Sequence, residues 1–390
     1  MKITVSKEDF LEAMTPAMSA VSERNTITQL EGVLITTEGA DKCVLSTYDL
    51  EKGYRTVVNA QVKEPGSYII NAAKLYRMVR TMPDATVTIF VNEKFQAKIS
   101  SGNSVFSLSA LPGGDFPKLP ELDGDVGVTL GQGMLKKIIG QVNHAIGKES
   151  QPILTGAYFK VTEDGLRVVS CDGNRMALRE KECSLKLEGK EEGFSFIVPG
   201  KTLIELMKML SSDDEEEVAL LFGRKHVIFR MNENIFFSRL IDGDYIDYRR
   251  VIPKNNNIHV TLDREELVDC LERVSLVTDD KSVGQTHGYV KCVFEGDTLK
   301  VSSASSVSAV FDELPIEKEG NDITIGFNCR FLLDALRAID ESRVKFSLAT
   351  PLMSMIIEKA DDAEEESDGK EEKEDSGKFL YMVCPVKMKE

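Results

Sequence analysis

The stretch Phe106–Pro120 reads FSLSALPGGDFPKLP, and Ile235–Pro253 reads IFFSRLIDGDYIDYRRVIP. Both run from a strand-like pattern into a turn containing Gly and Asp. Ser109 matches Ser238, Leu111 matches Leu240, Gly114 matches Gly243, Asp115 matches Asp244 and Phe116 matches Tyr245, all at one offset of 129 residues. A constant offset over that many positions marks a repeated structural unit.

The neighbours of the motif recur in register. A short strand feeds a helical pattern in KITV–SKEDFLEAMTPAMSAV, GVTL–GQGMLKKIIGQVNHAI and HVTL–DREELVDCLERVSLV. Phe10, Met14, Ala17 and Val21 keep helical spacing, as do Leu135, Ile138, Val142 and Ile146, and Leu267, Leu271 and Val274. Ser6 with Asp9, and Asp263 with Glu266, have capping-box spacing. A second strand and helix follow in GSYIINAAKLYRMVRTM, GFSFIVPGKTLIELMKML and NDITIGFNCRFLLDALRAI, where Leu75, Leu203 and Leu332 align. The chain of 390 residues is too long for one ordinary core, and a period near 129 predicts three tandem copies of one α+β domain. Each copy holds two helices and about eight short strands, at 1–121, 126–252 and 256–390. A hairpin-like strand pair is expected after the second helix in the first two copies.

With 42% hydrophobic and 29% charged residues, and no apolar run of the roughly 18 residues a span requires, the composition is that of a soluble globular protein. The start, MKITVSKEDF, has charges where a secretory signal would be apolar, so a cytoplasmic location is expected. Seven scattered cysteines without CxxC spacing read as reduced thiols. Four histidines, the closest 28 residues apart, give no metal motif, and no cofactor is expected.

A net charge of −16 at first argues against a nucleic-acid partner. Its location reverses that reading. EKADDAEEESDGKEEKEDS, from Glu358 to Ser376, carries a net −8, and SSDDEEE at 211–217 adds −5, so the remainder is near neutral. The first segment reads as a disordered insert at 359–377 and the second as an acidic turn. Basic residues recur at matching helix positions: Arg80, Lys208 and Arg337 on the second helices, and Arg24, Lys148 and Lys281 near the ends of the first. Lys74, Arg77, Lys136, Lys137 and Lys201 cluster with them, as do Arg264, Arg273 and Arg330. A merely solvated face would not demand that register.

No catalytic residue is expected. VPGKT at 198–202 resembles a phosphate loop, but Ser195 stands where that motif needs its first Gly, so a helix start is the better reading. Asp115 and Asp244 sit in turns of different domains, where Asp bonds local backbone. VSSASSVSAV at 301–310 has no histidine near it in sequence and reads as a polar strand and loop.

FSLSALPGGDFPKLP, VSCDGNRMAL (169–178), FIVPGKTLIELMKML (196–210), LIDGDYIDYRRVIPKN (240–255), IGFNCRFLLDALRAI (325–339) and YMVCPVKMK together resemble the bacterial sliding clamp family, the β subunit of DNA polymerase III. The resemblance spans all three domains in order and leaves out the acidic insert. It implies a head-to-tail homodimer that closes a ring of six similar domains, with helices lining the hole. Such a ring slides on double-stranded DNA without reading its bases, which diffuse positive charge toward the phosphates allows.

On this resemblance the DNA-touching positions fall on Arg24 and Lys148, with Lys74 nearby, while a pair of aromatics known in the family is replaced by Pro152 and Ile153. Phe106 and Leu108 on an edge strand of the first domain are expected to meet Leu276 and Val277, near a helix end of the third domain, in the other chain of the dimer. A peptide pocket maps to Leu154, Gly173, Asn174, Arg175, Met176, Arg250, Val251, Ser354, Met382, Val383, Pro385, Val386 and Met388. Its Met-rich apolar lining suits several related peptides. The implied partners are the replicative polymerase, the clamp loader, translesion polymerases and mismatch-repair proteins, each through a short linear peptide. Cys171, Ile246 and Lys387 depart from the family's common Thr, Pro and Arg and are expected to alter peptide preference, and the insert's acids are expected to screen the pocket from acidic peptides. The alternatives are an interaction scaffold of the same fold that encircles no DNA, and, more remotely, an enzyme with an unrecognised site.

Overall fold

The computed structural model describes the chain except residues 23–25, 122–125, 149–150, 186, 189–192, 224, 279–288, 306–307, 361–376 and 389–390. The first third holds β1 (Lys2–Ser6), α1 (Lys7–Ala17), β2 (Gly32–Glu38), β3 (Lys42–Tyr48), β4 (Lys52–Glu64), β5 (Ser67–Asn71), α2 (Ala72–Thr81), β6 (Thr86–Val91), β7 (Gln96–Ser101) and β8 (Ser104–Pro112). The second holds β9 (Val126–Gly131), α3 (Gln132–Asn143), β10 (Gly156–Thr162), β11 (Gly165–Cys171), β12 (Arg175–Glu182), β13 (Leu187–Glu188), β14 (Phe194–Pro199), α4 (Gly200–Met209), β15 (Glu217–Phe222), β16 (His226–Met231) and β17 (Asn234–Arg239). The third holds β18 (Ile258–Asp263), α5 (Arg264–Thr278), β19 (Tyr289–Glu295), β20 (Thr298–Ala304), β21 (Ala309–Pro315), β22 (Glu317–Glu319), β23 (Ile323–Asn328), α6 (Cys329–Arg337), β24 (Arg343–Leu348), β25 (Met355–Lys359) and β26 (Gly377–Val383). Among the described residues each third has two α-helices and eight or nine strands, the α+β unit expected three times.

Side chains fix several helix starts as the sequence requires. Ser6 Oγ accepts from the Asp9 N–H at 3.3 Å, Asn71 Oδ1 from Lys74 at 3.0 Å, Asp263 Oδ1 from Glu266 at 2.9 Å and Asn328 Oδ1 from Arg330 at 3.0 Å. Each bond satisfies a backbone donor that has no partner inside the helix. Gly200, in the VPGKT segment, opens α4 because of packing: a Cβ there would lie 2.8 Å from Ile146 Cγ2.

Contacts divide the chain into two compact units. In the unit formed by Met1–Lys136, Leu185–Glu191 and Lys201–Leu240, thirteen antiparallel strands run in the order β1-β6-β7-β8-β5-β2-β3-β4-β17-β16-β15-β9-β13, with β1 also paired to β4. Alternate residues Ile3, Val5, Val87, Ile89 and Val91 point into a core that receives Phe10 and Met14 of α1 and Leu75 and Val79 of α2. The thirteen-residue β4 serves two domains. Its Lys52–Arg55 end pairs with β17, Ile235 opposite Arg55 and Ser238 opposite Lys52, and its far end pairs with β1.

The opening motif forms β8 and a 3₁₀ turn at Gly113–Asp115. Gly113 is required by close approach, since a Cβ there would meet Ser67 Oγ at 2.2 Å and the Ser67 carbonyl carbon at 2.8 Å. Its neighbour Gly114 faces open space, whereas the matching Gly243 takes φ +122°. The two copies therefore share sequence there without sharing a backbone conformation.

The other unit comprises Lys137–Ser184, Glu192–Gly200 and Ile241–Glu390. One of its sheets has the order β14-β10-β11-β12-β26-β25-β24-β18-β22 and the other β21-β20-β19-β23. Here β12 and β26 repeat the seam of β4 with β17, placing Met176 opposite Met382 and Leu178 opposite Leu380. The third copy also completes the hairpin that the sequence showed only in the first two, because β25 pairs with both β24 and β26. Those strands include Lys359 and Gly377, the end positions of the expected insert, while its interior at 361–376 lies outside the described residues.

Candidate functional site

The basic helix positions differ in how free their charge is. On α2, Leu75 and Val79 are buried while Lys74, Arg77 and Arg80 are exposed. Among the described residues those three, with exposed Lys148 and Lys201, form no ion pair. Lys136 donates to the Leu210 carbonyl at 3.0 Å and to Ser212 Oγ at 3.1 Å. Lys137 pairs with Asp340 at 2.8 Å, Lys208 with Glu205 at 2.8 Å and Arg337 with Glu272 at 2.7 Å. These carboxylates cut the positive charge that a count of Lys and Arg implies. Arg24 and Lys281 lie outside the described residues.

An open groove of about 1410 Å³ in the first unit is lined by Glu12 and Pro16 of α1, Tyr76 and Arg77 of α2, Glu205 and Lys208 of α4, and Tyr54 of β4. At its floor Tyr54 Oη and Thr56 Oγ1 both donate to Asn234 Oδ1, at 2.8 and 2.7 Å, and burial pushes the Tyr54 hydroxyl up to about 12. Sequence reading missed this groove, because it forms where distant strands meet across the β4–β17 seam.

The expected pocket residues assemble in the second unit around the turn between β11 and β12. Asp172 Oδ1 accepts from the N–H groups of Asn174 at 2.9 Å and Arg175 at 3.0 Å, and Gly173 takes φ +91°, a conformation that favours glycine. Leu154, Met176 and Met382 pack in one apolar cluster with Val169, Cys171, Leu178 and Tyr248, flanked by Ile153, Tyr158, Tyr245 and Ile246. Two of the noted departures, Cys171 and Ile246, thus belong to the pocket's own cluster, as does Ile153; the third, Lys387, is exposed. Burial raises the titration of the Cys171 thiol and the Tyr245 hydroxyl.

Three tyrosines stiffen this wall. Tyr158 stacks on Tyr245 with centroids 5.3 Å apart, and Arg167, bonded to Glu180, donates to Tyr248 Oη at 3.3 Å. Sequence reading missed them; the spacing of Tyr245 and Tyr248 beside Arg250 was the available signal. Val383 is only 1% exposed and serves the sheet beneath, whereas Val251 is 49% exposed and Gly173, Asn174 and Arg250 are also open to solvent. Arg250 pairs with Asp247 at 2.8 Å.

Beyond β26 the chain stays close to this turn. The Cys384 N–H donates to the Asn174 carbonyl at 2.8 Å, Ser354 Oγ donates to Cys384 Sγ at 3.3 Å, and the Val386 N–H donates to the Gly326 carbonyl at 2.7 Å. That path carries half-buried Pro385, Val386 and Met388 past the pocket residues. Below them His144 lies against the Tyr381 ring at 5.2 Å, its Nδ1 without a partner among the described residues. Burial, and then the Arg175 charge, lower its titration to about 4.

The expected contact strand β8 is an edge only in part. Among the described residues, 104–109 pair with β7 alone, while Ala110–Pro112 pair with β5. Along the open part Val105 is 51% and Phe106 38% exposed; Leu108 is half-buried against the first core. In the other unit Leu276 is 77% exposed near the end of α5, with Val277 half-buried, and β21 has β20 as its one strand neighbour among the described residues. Phe311 on β21, 62% exposed, was not anticipated.

Three copies of one α+β unit, each later copy giving its last strand to a sheet of the copy before, are the architecture of a DNA clamp. Family models for the N-terminal, central and C-terminal domains of the DNA polymerase III β subunit match residues 1–120, 129–247 and 249–368. A Staphylococcus aureus beta sliding clamp is 29% identical over 374 residues, which cover 93% of this chain and 97% of that protein. The crystal structure of the Bacillus subtilis sliding clamp superposes over 100% of both chains with TM-score 0.88 at 25% identity. A Pseudomonas aeruginosa clamp bound to griselimycin does so with TM-score 0.86 at 27% identity. The chain belongs to the bacterial DNA polymerase III β subunit family. It is therefore a DNA sliding clamp, the non-catalytic processivity subunit that works on DNA with the replicative polymerase.

Proposed function

We propose that two copies of this chain, each divided at 1–121, 126–252 and 256–390, close head to tail into a ring through β8 of one protomer and β21 of its partner. Strand pairing carries the reading. The last strand of the second copy, β17, is seated on β4 of the first, and the last strand of the third, β26, on β12 of the second. Among the described residues that leaves the last strand of the first copy, β8, without such a partner, and β21, the third copy's counterpart of β4 and β12, without a visitor.

The repeat also supplies a register. Asp49 Oδ1 accepts from the N–H of Lys52, Asp172 Oδ1 from Arg175, and Ser305 Oγ from Ser308, so these three turns align. Three residues further on stand Arg55, Leu178 and Phe311, the first two lying opposite Ile235 and Leu380. Phe106 matches Ile235 by the 129-residue offset and so lies opposite the partner subunit's Phe311; Ser109 lies opposite the partner subunit's Ser308. An aromatic cross-strand pair adds stability to such a junction. A chain carrying Ser109→Cys and Ser308→Cys should give a covalent dimer on mild oxidation, and pairing Ser109→Cys with Ala309→Cys should give far less. Equal yields from both would overturn the register, and a scattering mass of one chain at micromolar concentration would overturn the dimer.

Within this ring, Lys74, Arg77, Arg80, Lys148 and Lys201, with Arg24 and Lys281, hold duplex DNA through diffuse attraction to phosphates. Lys136, Lys137, Lys208 and Arg337 contribute less because each is engaged within the protein. The cluster around Leu154, Met176 and Met382, with Gly173, Asn174, Arg175, Arg250, Val251, Ser354 and the tail from Val383 to Met388, takes short peptides from the polymerase. It takes the corresponding peptides of the clamp loader, translesion polymerases and mismatch-repair proteins too. The protein acts in the cytoplasm, at the nucleoid.

A further inference from the structure

Arg175 joins two surfaces. It belongs to the proposed peptide pocket, and its guanidinium reaches α6, the helix that carries Arg330 and Arg337. Its Nε bonds Asp172 Oδ2 at 3.1 Å, Nη1 bonds Asp334 Oδ2 at 2.7 Å, and Cζ lies 4.3 Å from the centre of the Phe331 ring. One cation is thus shared by two carboxylates on a side chain that is 12% exposed. A third anion cannot be added to such a half-buried group cheaply, so an acid arriving in the pocket displaces one of the two.

The two carboxylates are not equally anchored. Asp172 also caps the backbone N–H groups of Asn174 and Arg175. Among the described residues the Asp334 carboxylate hydrogen-bonds to Arg175 alone, so Asp334 is the partner that yields. On α6 it lies four residues after Arg330 and three before Arg337, which puts all three on one stripe of the helix. Arg337 is already closed by Glu272, whereas exposed Arg330 has no ion pair among the described residues.

We propose that the Arg175–Asp334 bridge couples the peptide pocket to the DNA-facing charge of α6: a peptide carboxylate draws Arg175 away, and the released Asp334 neutralises Arg330. Asp334 and Phe331 are then positioning residues that touch neither ligand. Because coupling between sites is reciprocal, DNA in the ring disfavours acidic peptides by the same factor. The inference rests on the proposed peptide pocket and on α6 facing DNA.

The test uses the dimer, a short fluorescent DNA duplex at low salt, and two labelled decapeptides with adjacent leucines that differ only in one aspartate or asparagine. In the wild-type protein the saturating aspartate peptide should weaken duplex binding by about 1.5- to 2-fold, as expected for one exposed helix ion pair, and the asparagine peptide should not. Asp334→Asn, which keeps the side-chain shape, should abolish the difference without weakening duplex binding; Asp334→Glu should restore it. If both ligands bind the wild type but duplex affinity is the same with either peptide, or if Asp334→Asn keeps the difference, the coupling is overturned while the sites stand. If the wild type binds neither peptide, or no duplex, the underlying site reading falls and the coupling with it.

Discussion

His144 shows how one residue links the pocket to pH. Its ordinary pKa near 6.5 falls to about 4, first through burial and then through Arg175, although Asp334 and Asp172 pull the other way. The unfolded chain therefore binds a proton that the folded chain refuses between those values. The contribution of neutral His144 is fully present above pH 6.5 and is lost as pH falls toward 4, by on the order of 3 kcal/mol. Chemical denaturation across that range should show stability rising with pH, with a smaller slope in His144→Gln. Gly173 gives a second prediction: at φ +91° an alanine is strained by about 1–3 kcal/mol, so Gly173→Ala should lower both stability and peptide affinity. At this scale the sequence was partly legible. Resemblance located Met176 and Met382, but Tyr158 and Tyr245 join the wall only because β10 and the segment after β17 meet in space, which no local pattern encodes.

Helices and strands were the most legible level, because period and capping are local. Phe10, Met14 and Ala17 are all buried at the predicted spacing, and Ser6 and Asp263 start their helices as their positions require. Phe10 is fully buried, so Phe10→Ala should cost about 3–5 kcal/mol in thermal or denaturant unfolding. The β4–β17 and β12–β26 seams were not legible, since pairing between distant strands depends on which edges remain open. The split role of β8, open at 104–109 and paired beyond, belongs to the same category. So does the carboxylate engagement of Lys137 by Asp340 and of Arg337 by Glu272, whose acids come from elsewhere in sequence, whereas Glu205 lies three residues before Lys208 on the same helix, a spacing the sequence does show.

For the whole molecule, most of the net charge of −16 is carried by two short stretches of sequence, 358–376 and 211–217. The insert departs from Lys359 and Gly377, at the opposite end of β26 from the pocket turn beside Val383, a distance of about 20 Å for a seven-residue strand. The attachment points thus lie beyond the roughly 8 Å screening length at physiological salt. Deleting 361–376 should therefore change the affinity for acidic peptides at low salt and leave it nearly unchanged at 0.15 M; an unchanged affinity at low salt would remove the insert from any role at the pocket. Encirclement of DNA is tested most directly by loading the protein onto nicked circular DNA with a clamp loader and ATP, removing the loader, and cutting the circle. The protein should stay on the intact circle through a salt wash and leave once ends exist. Retention unaffected by linearisation, or no retention on the circle at all, would contradict a sliding ring.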